Sequence, residues 1–236
     1  PAIAASVQLT EGLSVYANYV EALTEGPTAP SVAVNAGEIF PAVVNRQREL
    51  GLKYDLGTVS LGASLFEIRQ PNGITDPGTG VFAVNGQQRN RGLELSVAGE
   101  PMEGLRLLGG VTLMDAQITR SQDGAFDGND APGIPDTAVS LYAEYDTPAI
   151  PELTLTGRVI HGGSTWYDLG NTQKVDGWTR VDVGARYAAT LPNGTPMQIR
   201  AGIENLLDEA YWASSARGFL SAGAPRSVVL SASVDF

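Results

Sequence analysis

The chain has 236 residues, 43% of them apolar, with no cysteine, one histidine and a net charge of −11. So acidic a chain lacks the basic face that phosphate backbones require, which excludes nucleic acid as a partner. The missing cysteines exclude disulfide scaffolds and thiolate metal sites, and no run of about 18 apolar residues exists to make a transmembrane helix.

The opening PAIAASVQLT has no basic segment ahead of an apolar core, so it is not a signal peptide. A secreted or envelope protein without one is expected to be a mature chain or a piece of a longer one. Beyond it, helical periodicity is scarce and alternation is everywhere. Leu50, Leu52 and Tyr54 oppose Glu49, Gly51 and Lys53, and Leu93, Leu95 and Val97 oppose Gly92, Glu94 and Ser96. From Trp178, Val181, Val183, Ala185 and Tyr187 oppose Arg180, Asp182, Gly184 and Arg186; Met197, Ile199, Ala201 and Ile203 then oppose Gln198, Arg200, Gly202 and Glu204. The last segment puts Val228, Leu230, Ala232, Val234 and Phe236 on one side, with Ser227, Ser231, Ser233 and Asp235 on the other. Period two sustained in this way marks half-buried β-strands.

About ten strands are predicted, roughly over 13–23, 43–54, 59–70, 89–99, 105–118, 137–146, 153–164, 178–190, 196–206 and 226–236. Short connections, such as Asp55 to Thr58 and Thr190 to Thr195, alternate with long ones over 24–42, 71–88, 119–136, 165–177 and 207–225. In an up-and-down antiparallel sheet this parity gathers the long loops at one end and the tight turns at the other, as in outer-membrane barrels. Strands of about ten residues suit a tilted bilayer crossing better than a globular sheet. The fold class expected is all-β, an antiparallel up-and-down transmembrane β-barrel. A complete small barrel with a structural or passive-channel role, its first strand pairing with its last, remains an alternative; so does a secreted β-sandwich binding carbohydrate through aromatic loops.

Several stretches resemble the C-terminal half of the barrel in TonB-dependent outer-membrane receptors, particularly the ferric-siderophore type. They are RNRGLELSVAGEPMEGLRLLGGVTLMDAQI with Gly92 and Glu94, GNDAPGIPDTAVSLYAEYD with Gly133 and Pro135, IENLLDEAYW with Asn205, Leu206, Asp208 and Tyr211, and the closing GAPRSVVLSASVDF. The resemblance covers essentially the whole chain. It implies that residues 1–236 are the C-terminal portion, about ten strands, of a plugged barrel of about 22. The plug domain and the segment that binds TonB, both present in family members, have no counterpart in this sequence. It further implies ferric-siderophore uptake energised by the TonB complex, residence among outer-membrane lipid with the C-terminus in the periplasm, and recognition of the terminal Phe236 by the barrel-assembly machinery. No cofactor is implied, iron being present only within the bound chelate.

Enzymatic constellations are poor. Any Ser-His-Asp triad would need His161, the one histidine, and its place at a strand end predicts a solvated or lumen-facing side chain. The loop DGAFDGNDAPGIPD carries Asp123, Asp127, Asp130 and Asp136, but without the spacing of a calcium loop it reads as a solvated external loop. Asn-Gly at 85–86 and at 193–194 reads as turns. The long loops hold the aromatic residues: Trp166, Tyr167, Trp178, Tyr211, Trp212 and Phe219, with Arg217 among them. Aromatic rings and an arginine suit an anionic organic chelate, so these seven are the candidate ligand-binding residues. An interfacial aromatic girdle is the competing reading for Trp178 and Tyr211.

Overall fold

The computed structural model describes residues 1–215 and 219–234; Arg217 and Phe236 lie outside the described residues. The strands are β1 (Ala2–Gln8), β2 (Leu13–Thr24), β3 (Val43–Asp55), β4 (Val59–Thr75), β5 (Phe82–Met102), β6 (Leu105–Arg120), β7 (Thr137–Asp146), β8 (Leu153–Gly162), β9 (Thr165–Trp166), β10 (Lys174–Val175), β11 (Trp178–Thr190), β12 (Pro196–Glu204), β13 (Trp212–Ser214), β14 (Ser221–Ala222) and β15 (Ser227–Val234). Eleven of them form one antiparallel sheet whose neighbours follow chain order, β1 to β8, then β11, β12 and β15. The pairs β9–β10 and β13–β14 are small ribbons inside two of the long connections.

The expected parity is present. Tight connections at 9–12, 56–58, 103–104, 147–152 and 191–195 occupy one end of the sheet, and connections at 25–42, 76–81, 121–136, 163–177 and 205–226 the other. Three expectations are corrected. An additional strand, β1, precedes the first predicted one; its alternation of Ile3, Ala5 and Val7 is muted by alanine on both faces. Most of the predicted loop 71–88 is strand, because β4 and β5 pair from Val59↔Gly99 to Thr75↔Phe82 despite Pro71 and several glycines. A Cβ on Gly73 would lie 2.1 Å from the Phe82 ring, so glycine here makes room for the aromatic. Asn85-Gly86 consequently sits inside β5, whereas Asn193-Gly194 is a turn, with Gly194 at φ +85°.

Register assigns the two faces. One row across the sheet joins Ala17, Leu50, Leu65, Leu93 and Leu113, and the next joins Val15, Leu52, Ala63, Leu95, Val111 and Val139. Leu50 is 53% exposed, Leu65 59% and Leu230 74%. Such a contiguous bare apolar surface is untenable in water and suits hydrocarbon. Tyr54, Tyr145 and Tyr187 stand on the same face near the tight-turn end, at the position of an interfacial girdle. Buried apolar clusters occur instead at the long-loop end: Ala29, Ala33 and Phe82 with Phe40, and Ala116, Ile118 and Ala131 with Met114, Phe126 and Ile134. No second sheet covers the apolar face among the described residues, so the sandwich is excluded. Nor do β1 and β15 pair, so the sheet does not close on itself as a small barrel would.

The polar face is knit by charge. Arg106 donates to Asp146 at 2.6 Å and to Glu144 at 3.1 Å, Arg186 reaches Glu144 at 3.2 Å, and Arg180 bridges Asp182 at 2.7 Å and Glu204 at 2.9 Å. Tyr16 donates to Glu49 across β2 and β3, and a Cβ on Gly51 would strike the Tyr16 ring at 2.4 Å. His161 pairs with Val139 and Thr179 in register. It therefore lies on the apolar face, contrary to the lumen-facing alternative, with its Nδ1 2.9 Å from Thr179 Oγ1.

This assignment predicts that arginine at Leu95, in the apolar belt, costs the membrane-embedded sheet about 2–4 kcal/mol. Arginine at Thr112, on the opposite face, costs less than about 1 kcal/mol. Denaturant unfolding in lipid vesicles measures both.

Candidate functional site

The long-loop end is organised by three neighbouring connections. Residues 121–136 and 163–177 are zipped together: Asn129 donates to the Leu169 carbonyl at 2.8 Å, the Asp130 amide to Asn171 at 2.8 Å, and Asn171 back to the Asp130 carbonyl at 3.0 Å. The Gly133 amide donates to the Trp166 carbonyl at 2.8 Å. The Trp166 indole N–H donates to Asp130 Oδ2 at 2.9 Å, and Lys174 Nζ lies 5.4 Å from the centre of the same ring. Trp166 is thus held between loops. Thr165 Oγ1 lies 2.9 Å from Ser215 Oγ, which brings the last connection against the second.

Asp130 of the acidic loop reaches Trp166 in the neighbouring loop, whereas Asp127 bonds within its own loop. Asp127 accepts from the Ser121 amide at 2.6 Å and the Ser121 hydroxyl at 2.7 Å. No group of three or more potential metal ligands exists among the described residues. Asp168 closes the next loop: the Gln173 amide donates to it at 2.7 Å, and the Thr172 amide and hydroxyl at 2.9 Å each. Partial burial raises its carboxyl pKa, but these donors outweigh it, and the net shift is below the ordinary aspartate value. Asp76 is lowered in the same way, by the Thr79 and Gly78 amides.

Asn205 is fully buried, at 0% exposure. Its amide group donates to the Glu209 carbonyl at 2.9 Å and the Ala224 carbonyl at 3.0 Å, and its side-chain oxygen accepts from the Glu209 amide at 2.9 Å. Its own backbone amide donates to Asp182 at 2.8 Å. Asp208 accepts from the Arg226 amide at 3.1 Å and guanidinium at 3.2 Å. Asn205 and Asp208 both have positive φ, +51° and +56°, a conformation asparagine and aspartate tolerate better than most residues. The N-L-x-D-x-x-Y segment is therefore a clasp on the two ends of the final connection. Its tyrosine, Tyr211, stacks on Trp178 at 4.3 Å between ring centres and covers Gly223, where a Cβ would lie 2.3 Å away. Trp178 pairs with Gly162 and faces the polar side, not the bilayer girdle.

Of the seven candidates, Trp178 and Tyr211 form one stacked pair and Trp166 with Tyr167 leads the adjacent ribbon. Trp212 and Phe219 are the exposed aromatics, at 47% and 75%; Arg217 is outside the described residues. The contacts of the clasp around Asn205 and of the strut from Asp130 to Trp166 were not specified by sequence reasoning, although the residues themselves were singled out. The compact N-L-x-D spacing was the available signal for the first.

Residues 1–206 match the family model described as TonB dependent receptor-like, beta-barrel. The chain belongs to the TonB-dependent receptor family. It is 41% identical over 233 residues to the ferrichrome receptor FcuA of Yersinia enterocolitica, covering 96% of this chain and 31% of that protein. It is 30% identical to the ferrichrome outer membrane transporter/phage receptor of Escherichia coli, covering 95% of this chain and 30% of that one. Among solved structures, the ferric preacinetobactin receptor BauA from Acinetobacter baumannii superposes with a TM-score of 0.86 at 42% identity, over all of this chain and 36% of that one. The chain spans about a third of the length of these relatives. The family is one of receptors and transporters, not enzymes, and TonB-dependent siderophore receptors are outer-membrane β-barrels.

Two outcomes are expected. Replacing Asn205 with Ala strands two carbonyls and an amide in a buried site and costs about 2–4 kcal/mol, read as a lowered denaturant midpoint of the full-length receptor. Because folding depresses the Asp168 pKa, its contribution is present above the unfolded value of 3.8 and is lost as pH falls through the lower folded value. Cleavage of loop 163–177 by an acid-active protease should rise over that interval, and Asp168→Asn should abolish the pH dependence.

Proposed function

We propose that this chain is the C-terminal part of the barrel of a receptor that takes up ferric siderophores, and that uptake is energised through the TonB complex. The observation carrying this reading is the combination of a bare apolar belt, a charged opposite face and a consolidated aromatic loop end on one continuous sheet. The relatives supply the ligand class: two are ferrichrome receptors and one is a ferric preacinetobactin receptor. The polar face then lines a lumen that a plug, carried elsewhere in the receptor, would fill. The long loops face the cell exterior, and the tight turns and C-terminus the periplasm. Iron is cargo, and no resident cofactor is assigned. Phe236, outside the described residues, is the proposed cue for the barrel-assembly machinery.

Ligand contact is assigned to Trp212 and Phe219, whose exposure leaves their rings free for a chelate, with Arg217 supplying charge. Trp166, Tyr167, Trp178 and Tyr211 shape the rim beneath them. In the full-length receptor, alanine at Trp212 should weaken siderophore binding by about 2 kcal/mol, roughly thirtyfold. Alanine at Trp166 should weaken it through loss of the loop strut, with increased proteolysis of 163–177. Binding of ferrichrome-type and catecholate-type chelates is measured by fluorescence quenching, and iron uptake in cells with and without TonB. Unchanged affinity in both variants removes the assignment, and uptake independent of TonB overturns the transport reading.

A further inference from the structure

The polar face holds a second feature, in the half of the wall nearer the tight turns. The row Glu144, Thr156, Gly184, Gly202 and Val229 crosses β7, β8, β11, β12 and β15, and two adjacent positions in it have no side chain. Gly184 is held to glycine by its neighbours, because a Cβ there would lie 2.9 Å from the Ala201 carbonyl oxygen and from Thr156 Oγ1. The result is a hollow of about 470 Å³ with a floor of bare backbone. Arg158 stands at its upper edge beside Asp182, and Arg186 and Arg200 stand side by side at its lower edge.

The hollow has more cations than free carboxylates. Arg180 takes both Asp182 and Glu204, at 2.7 and 2.9 Å. Glu144 is shared by Arg106 at 3.1 Å and Arg186 at 3.2 Å. Arg200 donates to the neutral Gln198 at 2.6 Å. Neither Arg200 nor Arg158 has an ion pair among the described residues. Arg186 and Arg200 are direct cross-strand partners, and like charges so placed repel. An anion in the hollow relieves that repulsion and gains charge-assisted hydrogen bonds from planar guanidinium donors.

Position selects the occupant. Asp182 and Arg186 lie about 13 and 27 Å along β11 from Trp178, so a solute arriving from the long loops reaches the hollow only after leaving them. Elsewhere on the same face, β2 to β5 present Glu49 and Glu94 against one cation, Lys53. That surface repels anions, in a chain whose net charge is already −11. The wall from β8 to β12 is therefore where a negatively charged solute meets least resistance. We propose that this hollow is a transit subsite for anionic ferric chelates, in which Arg158 and Arg200 bind carboxylate or catecholate oxygens of a chelate that has left the loop end. The inference rests on the reading of this chain as part of a siderophore transporter.

The test uses the full-length receptor and two probes, ferrichrome, which is neutral, and ferrichrome bearing an appended carboxylate. R158Q/R200Q should lower the maximal uptake rate of the carboxylated probe by roughly tenfold, the loss of about one charge-assisted contact. Ferrichrome uptake, and equilibrium binding of both probes to the purified receptor, should stay unchanged. R158K/R200K, which keeps the charge, should retain most of the rate. R48Q, on the apolar face, controls for a general loss of charge, and heat-modifiable gel mobility confirms that each variant is folded. An unchanged rate for the carboxylated probe in R158Q/R200Q overturns the proposal, as does a wild type that takes up ferrichrome but refuses that probe. Equal slowing of both probes, or a rise in permeability to large antibiotics, also overturns it, by marking the arginines as partners of the receptor's own lumen-filling part. Ferrichrome uptake by the wild type with and without TonB tests the transport reading separately, whatever the variants do.

Discussion

The antiparallel hydrogen-bond ladder is the constraint from which the rest of this molecule follows. In hydrocarbon no water can satisfy a backbone amide or carbonyl, so each strand must find its partners in its neighbours. That requirement fixes long strands in unbroken chain order, and period-two geometry then divides the side chains between two solvents. Leu50, Leu65 and Leu93 look outward because Glu49, Ser64 and Glu94 look the other way. A one-residue slip in any pair would exchange those environments for a whole strand. Closely fitted pairs such as Gly51 with Tyr16 and Gly73 with Phe82 oppose such slips locally.

Among the described residues, the same ladder leaves β1 and β15 each with one unpaired edge. Open edges carry unsatisfied backbone groups and attract further strands, so a chain of this architecture is stable only as part of a larger closed sheet. This agrees with its coverage of about a third of its relatives. The charged network on the polar face makes the same point. Arg106, Glu144, Asp146 and Arg186 pair with one another on the wall, so charge on the hydrophilic face is balanced locally there.

The alternation was legible wherever the two faces contrast strongly, as in Val181 to Tyr187 against Arg180 to Arg186. It was illegible in β1, where alanine occupies both faces. It was also illegible in the extension of β4 and β5, where Pro71, Gly73 and Asn85-Gly86 read locally as turn chemistry and pairing overrode them. Aromatic residues at the loop end were visible as types, but not their partners: Trp166 meets Asp130 and Tyr211 meets Trp178 across many positions of sequence.

The clasp at Asn205 separates two things that a loop normally couples, its anchorage and its content. Because Asn205 binds Glu209 and Ala224 while Asp208 binds Arg226, the ends of the final connection are fastened to each other before the segment between them begins. That segment can lengthen, shorten or change composition without moving β12 or β15. A lineage can therefore refashion this part of the loop end while the barrel wall stays fixed.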